Sequence, residues 1–127
     1  MSEGRILIVD DSEIVLEMAR GALEGAGFEV LTAMNAMEAN EFIFADRRPD
    51  LIILDVMLPM LDGDRKAKML KEDELTRHIP ILLISSKPDD DLRVRVKESR
   101  CNGYIRKPFT DAVIVEKVRG ALAEPRR

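Results

Sequence analysis

Cysteine is almost missing from this chain. Cys101 stands alone among 127 residues, so neither a disulfide framework nor a CxxC metal or redox motif can be built within it. Cys101 is read most simply as a small apolar filler. Histidine is just as scarce: His78 is the single copy, before Ile79-Pro80, and reads as an exposed loop residue. With no second imidazole it makes a poor phosphotransfer or metal residue. No stretch approaches the roughly 18 consecutive apolar residues of a membrane span. None follows Met1 either, where Ser2-Glu3-Gly4-Arg5 leads directly into a short strand-like run. A basic surplus is also missing. The net charge of −4 argues against a general nucleic-acid or membrane-surface binder. Internal repeats, low-complexity segments and linkers are absent from the sequence.

What is present is an ordinary globular composition, 46% hydrophobic and 35% charged. A chain of this length buries a core without staples, and it fits one domain. The expected core runs over about residues 4–123, with a short basic tail at Glu124-Pro125-Arg126-Arg127 that is too small for an output domain. A reducing cytoplasm is the expected compartment.

Short continuous apolar runs recur. Ile6-Leu7-Ile8-Val9 stops at Asp10-Asp11, Leu51-Ile52-Ile53-Leu54 stops at Asp55, and Ile81-Leu82-Leu83-Ile84 stops at Ser85-Ser86. A weaker run spans Phe28 to Ala33, and Gly103-Tyr104-Ile105-Arg106 offers a fifth. Runs that are continuous rather than alternating suit strands buried on both faces of a parallel sheet. The stretches between them carry helical spacing. Ile14, Val15, Met18, Ala22 and Leu23 precede stops at Gly25 and Gly27. Asn35 with Glu38 resembles a capping box, and Thr110 reads as the N-cap of a last helix. A third helix around Ala67, Met69 and Leu70 is less clearly patterned. Arg93-Val94-Arg95-Val96-Lys97 alternates like a strand, yet a crossover between parallel strands is required there, so a helix is expected from Asp89 to Arg100. The fold class is therefore α/β: a five-stranded parallel sheet with right-handed crossovers.

In doubly wound sheets the site lies beyond the carboxyl ends of the strands. Those ends offer Asp10 and Asp11, Asp55, Ser85 and Lys107. Taken singly, each has a plain reading. Acids at Asp10-Asp11 suit a helix N-terminus, Asp55 suits a loop, Ser85 or its neighbour Ser86 suits a cap, and Lys107 suits a solvated surface. Brought together, three carboxylates repel one another and call for a cation, and hard oxygen ligands favour Mg²⁺. A carboxylate there can become an aspartyl phosphate, with Mg²⁺ and Lys107 neutralising the phosphoryl oxygens.

Asp10-Asp11, then Asp55-Val56-Met57-Leu58-Pro59-Met60-Leu61-Asp62-Gly63, then Ser85-Ser86 and Lys107-Pro108-Phe109 resemble the signature of response-regulator receiver domains, in order and over essentially the whole chain. The resemblance implies a three-layer flavodoxin-like fold and a stand-alone signalling switch rather than an enzyme. It implies Asp55 as phospho-acceptor, Mg²⁺ held by Asp11, Asp55 and the backbone carbonyl of Met57 with help from Asp10, and Ser85 and Lys107 on the phosphoryl group. Tyr104 falls at the switch aromatic, and Pro108 at a cis peptide after Lys107. The implied donor is a sensor histidine kinase or phosphotransfer protein. The output would be a protein partner at the fourth-helix to fifth-helix face, without direct nucleic-acid or membrane binding, as a monomer or a phosphorylation-linked dimer. Departures are Arg100 at a usual glycine, Ser85 for the commoner threonine, and Met57 and Lys87 at positions that tune phosphate loss. A Mg²⁺-dependent aspartyl-phosphate phosphatase or phosphotransferase is the alternative, but it would carry a second acid where Met57 stands. A degenerate receiver is the third reading, and no missing site residue recommends it. Arg93, Arg95, Lys97 and Arg100 are expected to form a solvated face, with an acidic partner surface as its functional version. Asp89-Asp90-Asp91 reads as a solvated, helix-starting acid cluster.

Overall fold

The computed structural model describes residues 2–124, so the tail expectation at Pro125-Arg126-Arg127 lies outside the described residues. The apolar runs become strands with no exposed face. Ile6 to Val9, Leu51 to Leu54 and Ile81 to Ile84 are buried in β1 (Arg5–Val9), β3 (Leu51–Asp55) and β4 (Ile81–Ser85). β2 (Glu29–Ala33) and β5 (Gly103–Arg106) are the edge strands and are only partly covered. Among the described residues the strands form one parallel sheet in the order β2-β1-β3-β4-β5. The chain runs outward from β1 to β2, then crosses back to β3 on the other side. That reversal falls between the ends of β1 and β3, the place where a doubly wound sheet forms its binding crevice.

Helices cover both faces. α1 (Glu13–Gly25) and α5 (Asp111–Ala123) pack on one, while α2 (Ala36–Ile43), α3 (Gly63–Glu72) and α4 (Asp89–Ser99) pack on the other. The period of two divides β1 accordingly: Ile6 and Ile8 join the α1/α5 core, and Leu7 and Val9 join the α2/α3/α4 core. This is the doubly wound, three-layer flavodoxin-like architecture that the resemblance implies, built on the parallel sheet that the runs imply.

The expected caps form. Ser12 Oγ accepts from the Val15 N–H at 3.3 Å, and Thr110 Oγ1 accepts from the Val113 N–H at 3.2 Å. Asn35 Oδ1 accepts from the Glu38 N–H at 2.9 Å, while Glu38 answers through the Asn35 side-chain amide rather than the backbone N–H of a full capping box. Each such cap contributes about 1 kcal/mol.

α4 is a helix despite its alternating sequence. Leu92, Val96 and Ser99 point inward at helical spacing, whereas Val94 is 55% exposed. It ends at Arg100, whose φ of 61° and ψ of 33° are left-handed. The Cys101 N–H then reaches back to the Val96 carbonyl at 3.0 Å, a Schellman-type closure that normally favours glycine.

The basic face expected on α4 is solvated at Arg93, Lys97 and Arg100, while Arg95 is half-buried. Arg95 bridges Asp91 and Asp64, Arg93 pairs with Asp90 at 2.7 Å, and Arg100 lies 3.8 Å from Glu72. Three of the four cations thus have acidic neighbours within the chain. The acid cluster Asp89-Asp90-Asp91 does start α4, but its carboxylates are engaged rather than merely solvated.

Candidate functional site at the carboxyl edge of the sheet

Asp10 follows β1 directly and is fully buried. Its backbone N–H donates to the Ala33 carbonyl at 3.1 Å, which extends the sheet by one rung. Its Oδ1 accepts from the Ser12 N–H at 2.8 Å, and its Oδ2 meets the Lys107 ammonium at 2.8 Å. Asp11, next to it, is exposed.

Asp55 is the last residue of β3 and only 5% exposed. Oδ1 accepts from the Met57 N–H at 3.0 Å, and Oδ2 accepts from Lys107 Nζ at 3.2 Å. Burial holds its carboxyl above the usual range. The Met57 N–H opposes this, the charge of Asp10 reinforces it, and Lys107 opposes it again. For the Lys107 ammonium, burial lowers the pKa, but the hydrogen bond to Asp10 and the charges of Asp55 and Asp10 outweigh it, and the pKa is raised.

One oxygen from each of Asp10, Asp11 and Asp55 lies within 4.8 Å of the others. Lys107, directly after β5, braces the cluster, and its backbone N–H donates to the Ser85 carbonyl at 2.8 Å. The Lys107-Pro108 peptide is cis. Of the two serines, Ser85 is buried as the last residue of β4 and Ser86 is exposed. Ser85 Oγ accepts from the Lys87 N–H at 3.1 Å. The Met57 side chain is 62% exposed, leaving its backbone as the part that faces Asp55. Tyr104 is not gathered into this cluster. It stands opposite Leu83 in the sheet, and its hydroxyl donates to Asp89 Oδ1 at 3.0 Å. Cys101 is partly buried against the α2/α3/α4 core, and burial pushes its thiol up to about 11, so it is not a reactive group. His78 is exposed, as read.

Two further residues shape the site. Gly63 closes the loop after β3 by donating its N–H to the Val56 carbonyl at 2.9 Å, and a β-carbon on it would overlap the Asp55 carbonyl. The visible signal was a glycine opening a helix just after the acidic strand end. Met60, at the loop tip, has a φ of 68°, and the Leu61 N–H reaches the Pro59 carbonyl at 2.8 Å, a tight γ-type turn. No sequence signal marked it.

Three carboxylates against one ammonium leave excess negative charge at the carboxyl edge of the sheet, a donor set of hard oxygens suited to a small divalent cation. Fold and site define a doubly wound α/β domain with an acidic, lysine-braced cluster at its topological switch point.

Residues 6–119 match the family described as the response regulator receiver domain. The chain is 44% identical over 117 residues to the phosphate regulon transcriptional regulatory protein PhoB of Pseudomonas aeruginosa, covering 92% of this chain and 51% of that protein. It is 31% identical over 122 residues to the polar-differentiation response regulator DivK of Brucella anthropi, covering 94% and 96%. The chain therefore spans about half the length of the first relative and nearly all of the second. Among solved structures, a putative response regulator from Chloroflexus aurantiacus superposes with a TM-score of 0.89 at 36% identity, covering 95% of this chain and 98% of that one. The chemotaxis response regulator CheY4 of Vibrio cholerae superposes with a TM-score of 0.85 at 27% identity, with the same coverages. The chain belongs to the receiver-domain family of two-component response regulators. Such domains are signalling switches that work through phosphorylation and bind Mg²⁺ at an acidic pocket. No helix among the described residues is long and apolar enough to cross a membrane.

Proposed function

We propose that Asp55 accepts a phosphoryl group from a sensor histidine kinase or a phosphotransfer protein, and that the domain reports this state to a protein partner. The observation that carries the reading is the bracing of one lysine ammonium between two carboxylates, Asp10 at 2.8 Å and Asp55 at 3.2 Å, with Asp11 beside them. An Asp55 oxygen forms the new P–O bond as the P–N bond of the donor's phosphohistidine breaks and the imidazole nitrogen recovers its electron pair. Lys107 stands ready to follow the charge from the Asp55 carboxylate to a phosphoryl oxygen. Ser85, buried at the neighbouring strand end, donates its hydroxyl to a second oxygen.

The donor set fits Mg²⁺. Asp55 is held above its usual pKa by burial and by Asp10, so the cluster gains from a cation. Asp11 and Asp55 would bind the ion, with the Met57 carbonyl, and Asp10 would act beside them. Bound Mg²⁺ supplies neutralisation of the phosphoryl oxygens. Turnover of a separate substrate finds no support: Met57, two residues past Asp55, offers neither acid nor base. Tyr104, between α4 and α5 on β5, fits a switch that moves toward Ser85 when the phosphoryl group arrives, changing the α4–β5–α5 surface.

The test is incubation with a small-molecule phosphodonor and Mg²⁺, followed by mass spectrometry of the modified peptide. Label at Asp55, absent from Asp55→Asn, is the expected result. Label that persists in Asp55→Asn overturns the assignment.

A further inference from the structure

Asp89 carries out no task in phosphoryl transfer, yet it holds the one residue that must move. The Tyr104 hydroxyl donates to Asp89 Oδ1 at 3.0 Å, and the second oxygen, Oδ2, lies 3.4 Å from Arg106 Nη1. Tyr104 sits opposite Leu83, and Ser85 follows Leu83 by two residues, so both side chains belong to the same face of the sheet. To turn toward Ser85, Tyr104 must leave Asp89.

We propose that Asp89 is a latch: its carboxylate keeps Tyr104 at the start of α4 and thereby sets the resting population of the switch. This rests on the reading of Tyr104 as the moving element. Three features make Asp89 suited to the task. A phenol bonded to a carboxylate is a charge-assisted contact, stronger than one between neutral groups. Arg106 remains on Asp89 after Tyr104 departs, so the released carboxylate keeps a partner and the latch can open. Asp89 also belongs to α4 while Tyr104 belongs to β5, so release uncouples the helix from the edge strand. The other charges around the ring are Lys117 of α5, 5.7 Å from its centroid, and Arg93 of α4, itself paired with Asp90. Neither offers Tyr104 an acceptor.

A phosphoryl group, or an analogue of it, shifts the balance only by its preference for the released state, so a latch lowers its apparent affinity by the factor by which it reduces the released fraction. Because the Tyr104–Asp89 contact is only part-buried, water offsets much of that extra strength, and its loss corresponds to about three- to tenfold in that equilibrium.

The chain has one tyrosine and no tryptophan, so 3-fluorotyrosine gives a single ¹⁹F resonance reporting Tyr104 alone. Beryllofluoride with Mg²⁺ is titrated into the wild type, Asp89→Ala and Asp90→Ala; the last removes a neighbouring first-turn acid without touching Tyr104. The expected result is that, before any beryllofluoride, the Asp89→Ala resonance already lies toward the saturated wild-type position, and that its midpoint falls about three- to tenfold. Asp90→Ala should match the wild type in both. A moved resonance with an unchanged midpoint marks a local contact and overturns the latch, as does an equal response in Asp90→Ala. If beryllofluoride binds the wild type but leaves its resonance unmoved, the switch reading of Tyr104 fails, and the latch falls with it.

Discussion

Gly63 leaves no room for a side chain against Asp55. A β-carbon at Gly63 would overlap the carbonyl oxygen of Asp55, and the Gly63 N–H is already bonded to Val56 at 2.9 Å. The obstacle is backbone rather than a side chain that could turn aside. The first helical residue of α3 is thereby pressed against the end of the strand that carries the proposed acceptor carboxylate.

Gly63→Ala should therefore destabilise the domain by about 2 kcal/mol, the usual size of a forced overpacking. It should also slow phosphorylation, because relief comes by displacing the loop whose Met57 N–H holds Asp55 Oδ1. Urea unfolding and phosphodonor kinetics check both effects. Wild-type stability in Gly63→Ala would show that α3 can move off without cost.

Asp55→Asn should stabilise the metal-free domain at neutral pH by about 1 kcal/mol. The folded-state pKa of Asp55 lies above its ordinary value, chiefly through burial. A group raised in this way contributes its stability below the unfolded pKa and loses it as pH rises through the folded pKa. The neutral amide escapes that loss, so the advantage of Asp55→Asn should shrink as pH falls into the carboxylate range. Thermal unfolding in EDTA at pH 7 and pH 4 measures it. A variant less stable than the wild type at pH 7 contradicts the sign.

Mg²⁺ should raise the unfolding temperature of the wild type, by about 2.7 kcal/mol of stability at a concentration of one hundred times Kd. Asp11 is exposed, so Asp11→Ala should leave the metal-free stability within about 0.5 kcal/mol. The same substitution should remove most of the Mg²⁺ response. An undiminished response assigns the metal to other oxygens.

Glycine should act in opposite directions at two positions. A β-carbon at Gly120, inside α5, meets nothing within 4 Å, so Gly120→Ala should stabilise by about 1 kcal/mol. Arg100 occupies a left-handed conformation with a φ of 61°, so Arg100→Gly should relieve strain, also about 1 kcal/mol. Urea midpoints at unchanged slope would report each gain. A loss at either site would show that the side chain, not the backbone, decides there.

The strands were legible because burial on both faces demands unbroken apolar runs, and Ile6–Val9, Leu51–Leu54 and Ile81–Ile84 supply them. Their polar ends were legible too, though Asp55 and Ser85 prove to be the final residues of β3 and β4 rather than loop residues. The α4 segment was legible only from the crossover that parallel strands require, since its alternation suggested a strand whereas Val94 faces solvent and Val96 the core. α3 was faint because one of its buried positions is Lys66, whose ammonium is bonded to Asn40 of α2. Partners remote in sequence were not legible at all. Asp64 and Arg95 are 31 residues apart, and Asp89 and Tyr104 are 15, and only folding reveals which charges are already matched.

Because Asp55 and Ser85 close their strands, the last ladder bonds run through the site itself: the Val56 N–H to the Ile84 carbonyl at 3.1 Å, and the Lys107 N–H to the Ser85 carbonyl at 2.8 Å. These amides can trade protons with solvent only when the sheet opens, so their deuterium uptake should follow the slowest class in the molecule. The chemistry of the domain is thus anchored in its least yielding layer, and whatever moves on signalling must move around it.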